Sequence, residues 1–254
     1  MRTGFAAAFS VGMILAAQTV AAQEPTSIAF GIYYRCDQSR EARADEIMEQ
    51  TFAPVYDKHL NAGHLSAWGW AAHSQGGAWR RLAYMIGTDR DLMFDVRDQI
   101  IEELQNDHAS ALRELTSICP SHDDYIWNTV ATSQEPATLG QDRTDAGLSV
   151  YYVCNTAREQ RADEIFTEVF APVIDKHVAL GHLNSWSWLA HDVGGRFRRA
   201  LVIDGADHKT ILNMRDAIVS ELQSQHSDAF TEFSEICGGH TDYLWAILIS
   251  HPEM

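Results

Sequence analysis

The chain is written twice. Residues 31–127 and 149–245 align at a constant offset of 118 without a gap, and 45 of the 97 aligned positions are identical. Tyr33-Tyr34-x-Cys36 returns as Tyr151-Tyr152-x-Cys154, and Arg43-Ala44-Asp45-Glu46-Ile47 as Arg161-Ala162-Asp163-Glu164-Ile165. Asp57-Lys58-His59 returns as Asp175-Lys176-His177, and Gly63-His64-Leu65-x-x-Trp68-x-Trp70 as Gly181-His182-Leu183-x-x-Trp186-x-Trp188. His73, Arg80-Arg81, Cys119, His122 and Asp124 match His191, Arg198-Arg199, Cys237, His240 and Asp242. Two copies of about 100 residues predict two similar modules, not a solenoid, which needs at least three repeats. The modules are expected over 27–132 and 148–254. The polar stretch 133–147, with Pro136 and two glycines, reads as their linker.

Each copy has the order β-α-β-β-α-β. Ile28 to Cys36 is rich in β-branched and aromatic residues and predicts a strand. Glu41 to Ala62 has a helical stripe of Ala44, Ile47, Phe52, Val55 and His59, with a kink or a break expected at Pro54. Leu65–His73 and Trp79–Ile86 predict a hairpin around Gly76-Gly77. Asp89–Ile118 predicts one long helix and Tyr125–Thr132 a last strand, with Tyr243–Ser250 its counterpart. This is the ferredoxin-like pattern, with strand order 4-1-3-2 and antiparallel neighbours.

Charge and the N-terminus bound the setting. Nineteen basic against 35 acidic residues give a net charge of −16, which disfavours nucleic acid and anionic lipid as partners. Arg2, the apolar run Phe5–Ala17 and Val20-Ala21-Ala22 read as a signal peptide over 1–22, too short to span a membrane. Export to a periplasm or the cell exterior follows, and there four cysteines predict two disulfides. In the 4-1-3-2 order, Cys36 at the end of strand 1 meets Cys119 between helix 2 and strand 4. The repeat symmetry then pairs Cys154 with Cys237.

A ferredoxin-like sheet carries helices on one face only, so two such sheets are expected to pack sheet to sheet. In this element order and duplication the chain resembles the dimeric α/β-barrel superfamily, in a fused pseudo-dimeric form covering nearly the whole mature chain. The resemblance implies a range of activities: haem-binding enzymes, cofactor-free monooxygenases, small-molecule lyases and isomerases, and proteins without known activity. Haem is possible on that basis but required by nothing in the sequence.

The repeated residues supply the candidates. Trp68 and Trp70, two apart, share a strand face. They are expected to look into the space between the sheets, while Leu65, Ala67, Gly69 and Ala71 pack on helices. With Trp186 and Trp188 they would wall a pocket for a flat, partly aromatic ligand, or simply fill the core. Tyr34, Arg81, Tyr152 and Arg199 are further ligand-binding candidates. His59, His64, His177 and His182 are candidates for iron ligation or proton transfer, against the alternative of packed histidines. No HExxH, HxH or Cys/His spacing predicts a metal site. His73, His122, Asp124 and Arg81 with their copies suit either a general base or a salt-linked fastening beside the disulfides. The expected function is binding of a small, partly aromatic molecule between the sheets. A monooxygenase-type or haem-dependent enzyme and a ligand-free structural protein are the rivals.

Overall fold

A computed structural model describes residues 27–133 and 145–252. The expected signal peptide and most of the linker lie outside the described residues. Strand β1 (Ile28–Arg35) leads into α1 (Glu41–Ile47), a π-helical stretch Met48–Phe52, and α2 (Ala53–Asn61). Pro54 lacks an N–H, and its ring crowds the carbonyl four residues back. The regular helix is broken there: it widens over Met48–Phe52 just before Pro54, and Phe166–Phe170 repeats the device before Pro172.

Strands β2 (Ala67–Gly76) and β3 (Arg81–Gly87) form the expected hairpin. Helix α3 (Arg90–Asp107) starts on Asp89, whose carboxylate accepts from the Leu92 N–H at 2.9 Å. The single helix predicted over 89–118 is interrupted: His108 leaves helical geometry at φ −129°, and α4 (Ala109–Ile118) follows and lies against α1. Strand β4 (Ser121–Thr132) begins earlier than Tyr125. The second half repeats the series: β5 (Ala146–Val153), α5 (Glu159–Ile165), α6 (Ala171–Ala179), β6 (Ser185–Val193), β7 (Arg199–Gly205), α7 (His208–Gln225), α8 (Ser227–Ile236) and β8 (Gly239–His251).

The eight strands close into one antiparallel barrel in the order β1-β3-β2-β8-β5-β7-β6-β4. Within the first half the order is β4-β1-β3-β2, and within the second β8-β5-β7-β6. The two sheets are not separate stacked layers. Their edges pair, β2 with β8 and β4 with β6, which leaves no open edge. Both seams carry register shifts, at Trp70/Ala71 and His73/Gln75 and at Ile126/Trp127 and Thr129/Ala131. Such irregularities bend strands where a barrel turns.

All helices of the described residues lie outside the barrel. One apolar core fills the space between sheet and helices in each half, and a third lies inside the barrel. Disulfides join Cys36 to Cys119 and Cys154 to Cys237, tying the end of β1 to the end of α4 and the end of β5 to the end of α8. Asp37 N–H donates to the Ile118 carbonyl at 2.8 Å beside the first, and Asn155 N–H to Ile236 beside the second. Each bridge closes a loop of 83 residues. Replacing Cys36 and Cys119 together by Ser is expected to lower unfolding free energy by about 4 kcal/mol, slightly under the ~4.5 kcal/mol loop-closure scale for such a span. Urea titration of the mature protein checks this, and the Cys154/Cys237 double variant should lose a similar amount.

Candidate functional site

The repeated tryptophans and arginines build a joint between helix and barrel. Trp70 Nε1 donates to Asp45 Oδ1 at 2.8 Å, and Arg81 grips the same carboxylate with Nε and Nη2 at 2.6 and 2.7 Å. Glu41 closes the group: Arg81 lies 3.1 Å from it, and Arg80 Nε donates to it at 2.6 Å. The second half is the same, with Trp188, Asp163, Arg199, Glu159 and Arg198. Trp68 and Trp186 donate to Asp57 and Asp175 at 2.9 and 2.7 Å. These bonds hold Glu41 and Glu159 below the usual carboxylate range despite burial, through their arginine partners.

This placement corrects the expected pocket walls. Trp68, Trp70, Trp186 and Trp188 lie in the sheet–helix cores, not between the sheets. Tyr34 and Tyr152 are there too, beside Trp70 and Trp188, each at a ring separation of 5.7 Å. Arg81 and Arg199 are buried and fully engaged by carboxylates. The physical reason is space. The interior of an eight-stranded barrel has room for one filling of side chains or one small ligand, and rings from the neighbouring strands take it, so the small face of β2 turns inward: a methyl at Gly69 would collide with the Tyr84 hydroxyl. The indoles take the wider gap under the helices, where Asp45 and Asp57 meet their N–H groups.

The nominated histidines do come together, but outside the barrel. His59 and His64 face each other Nδ1 to Nδ1 at 3.2 Å, and His177 and His182 at 3.4 Å. Burial lowers the pKa of His59 and His177, with the neighbouring imidazole adding to it. His73 and His191 contact Arg80 and Arg198, and burial lowers them as well. His122 and His240 bond Asp124 and Asp242 at 2.6 Å on the surface. Among the described residues, no three His, Cys, Asp or Glu converge as a metal site would need.

The barrel interior holds the cavity. Its disulfide end is plugged by aromatic rings: Trp79 stacks on Tyr243 at 4.9 Å, Tyr125 on Trp127 at 5.0 Å, and Tyr243 on Trp245 at 5.1 Å. Beyond this floor lies a space of about 320 Å³, within the usual range for a small-molecule site. Its floor is Tyr33, Trp127, Tyr151 and Trp245; its far walls carry Tyr84, Ser149, Ser185, Ser187 and Asp204. Trp127 Nε1 and the Tyr151 hydroxyl both donate to the Tyr33 hydroxyl at 3.2 Å. The matching indole of Trp245 is buried, yet its N–H has no partner. Asp204 is enclosed by protein but presents part of its surface to the cavity. Burial pushes its carboxyl up to about 6, only partly opposed by the Ser185 hydroxyl donating at 2.9 Å.

None of the polar wall residues Tyr84, Ser149, Ser185, Ser187 and Asp204 was a sequence candidate. The signal that marks them is divergence between the copies. Among the polar lining positions, Asp204 stands opposite Ile86, Ser185 opposite Ala67, Ser149 opposite Gly31 and Ser187 opposite Gly69. The sheet–helix joint is identical in both halves, while the lumen keeps only Tyr33/Tyr151 and Trp127/Trp245 among its lining pairs.

A haem group does not fit this lumen. No His, Cys or Met lines it. Its phenols Tyr33 and Tyr84 are pushed up to about 12 by burial, so neither offers a phenolate to iron at neutral pH. The paired imidazoles stand on the other side of the sheet, facing one another.

No family model matches the chain, and no curated protein matches it in sequence. Solved structures do match in fold. A candidate monooxygenase from Lactobacillus acidophilus superimposes with a TM-score of 0.58 at 8% identity, over 89% of this chain and 95% of its own. An anthrone oxidase-like protein gives 0.58 at 10% identity, over 90% and 93%. Chlorite dismutase from Candidatus Nitrospira defluvii gives 0.54 at 8%, over 89% and 93%. The fold is therefore that of the dimeric α/β-barrel proteins, closed here within a single chain.

Two stability measurements follow from this site. Arg81→Met leaves the half-buried Asp45 without its cation, while Arg80 still holds Glu41, and is expected to cost about 3 kcal/mol, the lower end for a broken buried pair, read by chemical denaturation. Asp204→Asn acts in the opposite direction. The folded carboxyl titrates at about 6 against 3.8 unfolded. Its contribution is thus complete below pH 3.8 and lost as pH rises through 6. The Asn variant should gain about 1–2 kcal/mol over wild type at pH 7.5 and nothing at pH 3.5, a cavity-facing carboxylate retaining less than the full ~1.4 kcal/mol per unit.

Proposed function

We propose that the protein binds a small, partly aromatic molecule inside the barrel, its ring on the aromatic floor and a hydrogen-bond-donating or cationic group on Asp204. The observation that carries this reading is the divergence of the lumen. The two copies keep the same scaffold but differ where a ligand would touch, and the second half alone supplies Ser149, Ser185, Ser187 and Asp204. The unpartnered Trp245 N–H at the inner wall supports it, since a buried donor without an acceptor costs free energy that a ligand acceptor would recover. We read the chain as a duplicated module, 27–132 and 148–254, joined through 133–147. The signal-like N-terminus and the two disulfides support export to a periplasm or the cell exterior.

A second reading, an enzyme of the cofactor-free monooxygenase kind, has one observation in its favour beyond the fold. A carboxyl near 6 in an apolar cavity is suited to general-base work near neutral pH. In that case Asp204 would take a proton from the bound molecule, with Ser185 orienting the carboxylate.

Calorimetric titration with tryptamine, indole and indole-3-acetate tests the reading. Tryptamine is expected to bind about tenfold tighter than indole, or about 1.4 kcal/mol, with indole-3-acetate weakest. Asp204→Asn should erase the preference for the amine. Equal affinities for the three probes, or an unchanged preference in Asp204→Asn, would overturn it. Oxygen uptake in the presence of an oxidisable phenol separates the enzyme reading from simple binding.

A further inference from the structure

The second half holds a cavity walled at positions where the first half carries larger rings. It lies between the outer face of β5 and β7 and helices α6, α7 and α8, measures about 240 Å³, and is walled by Leu148, Ile174, Ile203, Phe230 and Phe233. Phe30, Tyr56 and Phe94 of the first half are replaced at the same offset by Leu148, Ile174 and Leu212. In the first half Phe30 and Phe94 meet edge to face at 5.1 Å, and Tyr56 stacks on Trp68 at 5.0 Å. In the second half the aromatic bulk has moved: Met48, Leu112 and Leu115 become Phe166, Phe230 and Phe233. Phe166 stacks on Trp188 at 4.1 Å, and Phe233 packs on Phe170 at 4.8 Å. An apolar space remains where Phe30 and Phe94 have their counterparts, and Leu212 does not fill it, being 38% exposed.

The same exchange repositions a charge. Arg97 sits 5.1 Å over the Phe94 ring and holds Asp98 Oδ1 with Nε and Nη2 at 3.0 and 2.7 Å. Arg215 has Leu212 in place of that ring. Its contact with Asp216 is 3.5 Å, and its Nη2 reaches Asp242 at 3.3 Å. Arg215 thereby lines the cavity, with His240 and Ser234 at its exposed rim. Asp242 has its stronger bond to His240, at 2.6 Å, so its longer contact with Arg215 is the one open to exchange.

We propose that this cavity is a second binding site, for a small molecule with a monocyclic or short-chain apolar body and a terminal carboxylate. The apolar body takes the place of the missing Phe and Tyr rings. The carboxylate replaces Asp242 on Arg215, in the two-pronged geometry that guanidinium favours. The volume lies just under the roughly 300–1,000 Å³ of drug-sized pockets, which limits the ligand to a single ring with a short acidic arm. The site is separate from the lumen. Leu148 and Val150 face it, while Gly147 and Ser149, between and beside them in β5, face the barrel interior. The two sites also differ in charge preference: Asp204 disfavours the acid that Arg215 attracts.

Calorimetric titration of the full mature chain with 3-phenylpropionate and its uncharged amide decides the matter. The acid is expected to bind at least about tenfold tighter than the amide. Arg215→Gln should bring the two to equal affinity. Leu148→Phe with Ile174→Tyr, which restores the first-half residues, should abolish both titrations at unchanged circular dichroism. Arg215, Leu148 and Ile174 all lie outside the lumen lining, so loss of acid binding in these variants separates this site from the lumen. No saturable binding of the acid, an acid no tighter than the amide, or acid binding that survives the filled variant would overturn the proposal. Should the filled variant misfold, the ring resonances of Phe230 and Phe233 decide in the wild-type protein: they shift on adding the acid if the proposal holds and stay fixed if it fails.

Discussion

Everything in this molecule hangs on how its helices are fixed to the barrel. A buried guanidinium, a buried indole N–H and a carboxylate from α1 meet in one joint, Arg81–Trp70–Asp45, and the same three meet again at Arg199–Trp188–Asp163. Each group alone would be costly under the helices; together they satisfy one another. The joint uses up the residues that look most chemical in the sequence. Beyond the aromatic plug, the inner face of the strands carries less of the fold, and there the copies differ at Ile86/Asp204, Ala67/Ser185, Gly31/Ser149 and Gly69/Ser187.

Much of the architecture was legible because it rests on repeated, short-range patterns. The duplication, the strand–helix order and the cysteine pairing all follow from residues whose roles are local or are set by strand order. Barrel closure was not legible in this way, since β2–β8 and β4–β6 pairing depends on bulges at Trp70/Ala71 and Thr129/Ala131 that no residue type announces. The break at His108 was equally silent, as Asp107 and Ala109 are ordinary helix residues.

The site was misread for a physical reason. Alternation shows that Trp68 and Trp70 share a face, but not which face is inside a barrel. Repetition ranks candidates without telling function from fold, and here it marks scaffold: a duplicated fold must keep its joints twice but needs its ligand groups only once. Asp204, without an acidic counterpart at Ile86, is the clearest case. Leu148 and Leu212, where the other copy has Phe30 and Phe94, are the apolar version of the same logic.

The central claim is that the lumen tryptophans meet ligand and the sheet–helix tryptophans do not. The most direct measurement is a proton–nitrogen correlation spectrum of the indole N–H groups of the seven tryptophans, assigned by single Trp→Phe variants, during titration with unlabelled tryptamine. The account predicts that the Trp245 signal moves most, with Trp127 beside it, while Trp68, Trp70, Trp186 and Trp188 stay fixed on their aspartates. Shifts confined to those four, with Trp245 unmoved, would contradict it and return the site to the space beneath the helices.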